Sequence, residues 1–282
     1  MTTDLTTPND AAGTATTSGP HPPRSRRGQT GPMTRMGRAI AGIAAASLAA
    51  AGLSASPALA APGNLDASFS GGAVMTDFAT NKLDQGLAMA LQKDGKIVVA
   101  GTTDSNTTPL PPQASDPHPP VDLDFALARY NANGTLDSSF GSGGKVVTAF
   151  SQQSDSALAV VIQKDGKIVV GGSTFTGASN ATFGLVRYLS DGSLDPNFGN
   201  NGRVQTDFTP DVDGINGLAL QSDGQSDGKI VAAGVSNCKV DPAILCQQAD
   251  VALARYNTDG SLDGSFGSGG KVRTEVAGGE QA

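Results

Sequence analysis

Two cysteines, two histidines and a set of recurring Arg and Asp residues are the side chains with which this 282-residue chain could do chemistry. A hydrolytic or redox centre needs a nucleophile, a base or a metal held in mutual reach. His21 belongs to an N-terminal stretch that reads as a leader. Beyond residue 60 the only imidazole is therefore His118, in a segment carrying six Pro between residues 102 and 124. That segment is expected to be an extended, polyproline-like excursion, where a Ser-His-Asp arrangement would lack a rigid scaffold. One His and two Cys eight positions apart do not form a zinc-ligand spacing. Cys238 and Cys246 share one inserted loop, and in an exported protein a disulfide is favoured over two free thiols. Its role would be to stiffen the loop.

The carboxylates raise calcium as a further candidate. Residues 257–263 (NTDGSLD) and 211–214 (DVDG) place oxygen atoms at alternate positions, but neither run completes an EF-hand loop or ends in a closing Glu. Asx turns between strands account for the same residues without an ion. No cofactor is therefore expected, with calcium as the minor alternative. Arg129, Arg187 and Arg255 recur at one place in the pattern, and Asp66, Asp137, Asp195 and Asp263 recur just after a turn. Recurrence in every unit favours a structural Arg–carboxylate pair, bidentate and partly buried, over a ring of Arg that binds an anion. The neighbouring Tyr130, Tyr188 and Tyr256 read as packing residues rather than a ligand-stacking platform.

These residues sit in an internal repeat. LDASF at 65–69, LDSSFG at 136–141, LDPNFG at 194–199 and LDGSFG at 262–267 recur at offsets of 71, 58 and 68 residues. DGKIVVAG (94–101), DGKIVVGG (165–172) and DGKIVAAG (227–234) recur in step, as do DFALARY (124–130), FGLVRY (183–188) and DVALARY (250–256). Each unit reads as four short strands, which in the second unit are 145–150, 157–163, 167–172 and 183–188. The Asp-Gly pair between the second and third strands predicts a tight hairpin. The unbroken apolar run Ile168, Val169, Val170 demands cover on both faces of its strand. Tandem four-stranded antiparallel units covered on both faces predict an all-β, propeller-like architecture, with a solenoid or a sandwich as the structural rivals. The units are 65–135, 136–193 and 194–261, with a partial fourth at 262–276 and a flexible tail at 277–282.

The succession LDxSFGxGGxVxT, QxDGKIVVAG, DFALARYxxDGSLD resembles the delta-60 repeat family, bacterial repeats placed with β-propellers, over nearly all of residues 65–274. The resemblance implies a repeat fold in secreted or surface proteins and brings no catalytic residues with it. The copies depart from one another at Ser70, where the others have Gly, and at 222–229, where the hairpin tip is doubled. They differ most between the third and fourth strands, with 23 residues at 102–124, ten at 173–182 and 16 at 235–250. Equivalent loops leave from one face of the assembly.

Residues 61–282 hold 14 basic and 24 acidic side chains, of which 22 are Asp, so nucleic acid is not an expected partner. An apolar run at 39–53 follows Arg35 and Arg38 and precedes Ala58 and Ala60, the pattern of a secretory signal peptide cleaved after residue 60. The run is too short for a membrane anchor. Met33 and Met36 are alternative starts to Met1. The expected function is that of a secreted, non-enzymatic repeat protein whose loops bind a polysaccharide or a protein at the cell surface. The rival is an extracellular hydrolase or lyase using acidic residues of adjacent repeats at a central channel. Three units and a fragment leave surfaces uncovered, so a homodimer is expected, with the terminal strand of one chain completing a unit of the other.

Overall fold

The computed structural model describes residues 64–80, 82–105, 122–150, 153–177, 180–222, 227–238 and 249–275. The expected leader, His118, Cys246 and the tail at 277–282 lie outside the described residues.

Hydrophobic patterning with hairpin turns produces three four-stranded antiparallel sheets. The first is β1 (Asp84–Leu91), β2 (Ile97–Asp104), β3 (Leu123–Tyr130) and β4 (Lys145–Thr148), paired in that order. The second is β5 (Asp155–Ile162), β6 (Ile168–Gly177), β7 (Asn180–Tyr188) and β8 (Arg203–Thr206). The third is β9 (Val212–Ser222), β10 (Asp227–Cys238), β11 (Asp250–Tyr256) and β12 (Lys271–Thr274). A single parallel bridge, Ala181 to Val212, links the second sheet to the third. The expected all-β, four-stranded units are the architecture observed.

Repeat and sheet are out of phase by one strand. The VxT segment that opens each sequence unit pairs with the last long strand of the unit before it: β4 with β3, β8 with β7, β12 with β11. Residues 262–275 therefore do not start a fourth sheet; through β12 they supply the outer strand of the third. The terminal strand is thus not spare for a partner chain, as the sequence pattern suggested. The VxT copy without a sheet is the first, at 74–76. The same segments also tie successive sheets together. Tyr188 Oη donates to Thr148 Oγ1 at 2.8 Å and Tyr256 Oη to Thr206 Oγ1 at 2.9 Å, while Thr76 Oγ1 and Tyr130 Oη lie 2.6 Å apart. β4 and β8 are thereby each laddered into one sheet and bonded by their Thr to the next. The tyrosines are packing residues with a satisfied hydroxyl; Tyr188 and Tyr256 are fully buried, which pushes both phenols well above their ordinary range.

The sheets are stacked face to face, so alternate residues of one strand enter different cores. Val98, Ala100, Phe125 and Leu127 of the first sheet meet Val160, Ile168, Val170, Val186 and Tyr188 of the second. Val169, Phe183 and Leu185, on the other face of the second, meet Ile215, Ile230, Ala232, Ala254 and Tyr256 of the third. Full burial of a side chain such as Phe125 or Phe183 stabilises by roughly 1.5–3 kcal/mol, so these two junctions dominate cohesion.

The Gly that closes each DGKIVVxG motif is set by close backbone approach. The inner strands β1, β5 and β9 bulge opposite it, and a Cβ on Gly101, Gly172 or Gly234 would lie 1.7, 1.7 or 1.9 Å from the carbonyl oxygens of Gln85, Ser156 and Gly214. The second unit's expected ten-residue loop is mostly strand. β6 and β7 pair through Thr174–Thr182 and Phe175–Ala181, leaving a connection of residues 178–179.

Candidate functional site

One end of the stack carries the Asp-Gly hairpins and the LDxSF turns; the opposite end carries the connections between β2 and β3, β6 and β7, and β10 and β11.

At the hairpin end each recurring Arg lies along the seam between sheets. Arg129 Nε donates to Asp137 Oδ2 at 2.8 Å, Arg187 Nε to Asp195 Oδ2 at 2.8 Å and Arg255 Nε to Asp263 Oδ2 at 2.7 Å. The guanidinium does not fork onto its carboxylate as expected. Nη1 of Arg129 and Arg187 turns instead to the carbonyls of Ser190 and Thr258, in the turn of the following unit. The guanidinium carbon also lies 4.5, 4.4 and 4.6 Å over the rings of Phe140, Phe198 and Phe266, the aromatic of each LDxSF turn. The other carboxylate oxygen closes an Asx turn: Asp137 Oδ1 accepts from Ser139 N and Oγ, and Asp263 Oδ1 from Ser265 N and Oγ. These bonds, the Ser hydroxyls first, hold both carboxyls below the ordinary Asp range. Asp66, from the first LDxSF copy, is exposed and accepts from Ser68. An Asp, an Arg and a Phe thus form one seam element, and a guanidinium so engaged has little left for an anion.

A shallow cleft of about 460 Å³ opens between the first two sheets at this end, lined by Lys93, Lys96, Arg129, Lys164 and Asp191 among others. Lys96 bonds Asp94 at 2.9 Å and Lys164 bonds Ser222 at 2.8 Å.

At the loop end a second recurring carboxylate caps the entry to each inner strand. Asp84 Oδ2, Asp155 Oδ2 and Asp213 Oδ2 accept the backbone N–H of Phe78, Phe150 and Phe208 at 3.0, 2.8 and 2.7 Å. Asp84 and Asp155 were not singled out in the sequence, and Asp213 was considered only as a calcium ligand within residues 211–214. The available signal was a Phe followed five or six positions later by Asp, ahead of each inner strand. The second oxygen of Asp84 accepts from Thr103 at 2.6 Å, and that of Asp213 from Thr209 Oγ1 at 3.0 Å and Asn237 N at 3.2 Å. Asp155 differs. Among the described residues its Oδ1 is buried without a hydrogen-bond partner, and Thr174, across the ladder as Thr103 is from Asp84, bonds Thr182 and Gln205 instead.

Asp122 and Asp124, at the start of β3 in the neighbouring sheet, each bury an Oδ1 that has no partner among the described residues, and both repel the Asp155 carboxylate. Burial above all, then this repulsion, pushes Asp155 up to about 7; burial raises Asp124 too. Carboxylates of adjacent units do converge here, but Asp155 is fully enclosed and Asp124 nearly so. Among the described residues no group of three or more His, Cys, Asp or Glu is placed to hold a metal ion. In the turn at 257–263 considered for calcium, Asp259 Oδ1 accepts from Ser261 N and Oγ, and Asp263 pairs with Arg255 and Lys229. Cys238, at the end of β10, is buried; its expected partner Cys246 lies outside the described residues.

Segments of this framework match a family model described as Domain of unknown function (DUF5122) beta-propeller, at residues 92–109, 122–140, 163–198 and 225–266. The repeats are similar to β-propeller repeats. The matched segments begin near the Asp-Gly hairpin, run through the two central strands into the LDxSF turn, and break across residues 110–121 of the first unit's insert. No curated protein matches the chain as a relative. Among the described residues no helix is long and apolar enough to cross a membrane.

Proposed function

We propose that the protein is an exported, non-enzymatic binding scaffold of the delta-60 repeat type. Its loops at 105–122 and 239–249 present a recognition surface to a polysaccharide or to another protein at the cell surface, without a cofactor, a membrane anchor or nucleic acid. One observation carries this reading: the repeated polar side chains are spent on holding the frame, while the copies differ most in length at the end opposite the hairpins. Asp137, Asp195 and Asp263 are bound to Arg and to Asx turns, and Asp84, Asp155 and Asp213 cap the inner strands. The leader at 39–53 and a Cys238–Cys246 disulfide within the third insert fit an exported protein.

A glycan array and a hydrolase and lyase substrate panel, run side by side on the exported protein, test the proposal. Retention of a glycan or surface protein with no turnover supports it; turnover overturns it. The hydrolase reading rests on one specific feature, the convergence of Asp124 and Asp155, whose carboxyls are raised, with Asp122 beside them. It requires Asp155→Asn to abolish turnover while leaving the melting temperature intact, whereas a capping role changes stability and nothing else.

A further inference from the structure

The outer face of the first sheet and the outer face of the third are the two halves of a contact that this chain already makes twice. In both internal junctions, a face built like Val169, Phe183, Leu185 and Phe198 covers a face built like Ile168, Val170 and Tyr188, and every one of these residues is fully buried. The third sheet repeats the first kind of face with Val231, Val251, Leu253 and Phe266, and no sheet lies over it among the described residues; Val251 is 45% exposed. The first sheet repeats the second kind with Ile97, Val99 and Tyr130, where Met89 and Leu91 stand 62% and 67% exposed.

Residues 69–78 are already seated against this face as an interior junction requires. Phe69 packs on the turn at Gly134 as Phe140 does on Gly192, and Lys145 Nζ donates to the Asp77 carbonyl as Lys271 Nζ does to that of Asp207. Between this segment and the strands lies an apolar groove of about 380 Å³, lined by Val74, Phe78, Met89, Val99 and Tyr130.

We propose that a second copy of this chain occupies the groove, its third sheet stacking on the first sheet by the contact used inside the chain. The internal repetition names the occupant, since the surface that fits this face twice within the chain is presented a third time at its far end. The outer strand β12 of the incoming sheet runs where residues 74–76 stand, so one of the two yields on docking. Arg273, Thr274 and Glu275 are exposed, which makes β12 the segment with less to lose. The contact is heterologous, joining two different faces, so each copy keeps one of each and association continues to a ring or a fibre.

Two substitutions at exposed positions test it, Met89→Glu on one face and Val251→Glu on the other, in the full chain with circular dichroism and melting unchanged. Light scattering after size exclusion at tens of micromolar is expected to give assemblies for the wild type and the 28.2 kDa monomer for each variant. An equimolar mixture of the two variants, which holds one intact face of each kind, is expected to give a dimer and nothing larger. A wild type that stays monomeric, with or without residues 1–63, overturns the proposal, as does association that survives either variant. Self-association of the wild type with a mixture that remains monomeric overturns the heterologous pairing. A wild type that associates only after removal of residues 1–63, which include the expected leader, supports the contact in the exported chain when either variant abolishes it.

Discussion

Replacing Arg187 with Ala removes a seam element from the junction of the second and third sheets. Arg187 and Asp195 are both buried, joined at 2.8 Å, and the guanidinium also holds the Thr258 carbonyl and covers Phe198. Breaking a buried pair and leaving one charge behind costs about 3–5 kcal/mol. Lys167 Nζ, 3.9 Å from the same Asp195 oxygen, remains and offsets part of that. The lost contact with the ring adds roughly 0.5–2 kcal/mol. A net loss of about 2–4 kcal/mol is expected, read as a lower urea midpoint at constant slope. The same change at Arg255 is expected to cost less, because its side chain is 19% exposed, Lys229 lies 3.0 Å from Asp263, and no following unit supplies a carbonyl among the described residues. Arg187→Met combined with Asp195→Leu should recover most of the loss by removing both charges. A loss under about 0.5 kcal/mol for Arg187→Ala would refute the reasoning, since it is the value for a solvated pair.

Asp155 gives a pH test. Its folded carboxyl stands at about 7 against an ordinary 3.8, so the folded state holds a proton that the unfolded chain releases. Its contribution is full below about pH 4 and is lost as pH rises toward 7. Asp155→Asn keeps an acceptor for Phe150 N and should flatten that part of the stability profile; an unchanged slope between pH 4 and 7 contradicts it. Gly172→Ala drives a Cβ to 1.7 Å from the Ser156 carbonyl and is expected to cost at least about 3 kcal/mol; a melting point at the wild-type value would show that the bulge can shift. Cys238 and Cys246 are expected to resist alkylation in the unreduced exported protein, and two labelled thiols would refute the pairing. Mass spectrometry of the exported chain should find it starting at Ala61.

The repeat motifs made the strands and hairpins legible, because DGKIVVxG states both the turn and a strand covered on two faces. The recurring Arg and Asp were legible as partners too, though not the split of the guanidinium between Asp and the next unit's carbonyl, which depends on how sheets stack. The phase between repeat and sheet was not legible, since a tandem array reads the same wherever a unit is taken to begin; the pairing of β4 with β3 decides it. Residues 173–182 looked like a loop for their Gly, Ser and Asn, whereas ladder pairing from Thr174–Thr182 outward carries the strands through. The capping role of Asp84, Asp155 and Asp213 was not legible, because the distance back to their Phe varies by one residue and the flanking segments share little else; Asp213 stood out only as an oxygen ligand in residues 211–214.

The account holds that the stacked sheets are a fixed frame and that recognition resides in the loops at one end. Replacing residues 106–121 and 239–248 with short Gly-containing turns, then comparing the variant with the wild type on one glycan and surface-protein array, tests that division directly. The expected result is an unchanged far-UV spectrum and cooperative melting, with retention by the wild type lost in the variant. A variant that still binds, or that no longer folds, would contradict it.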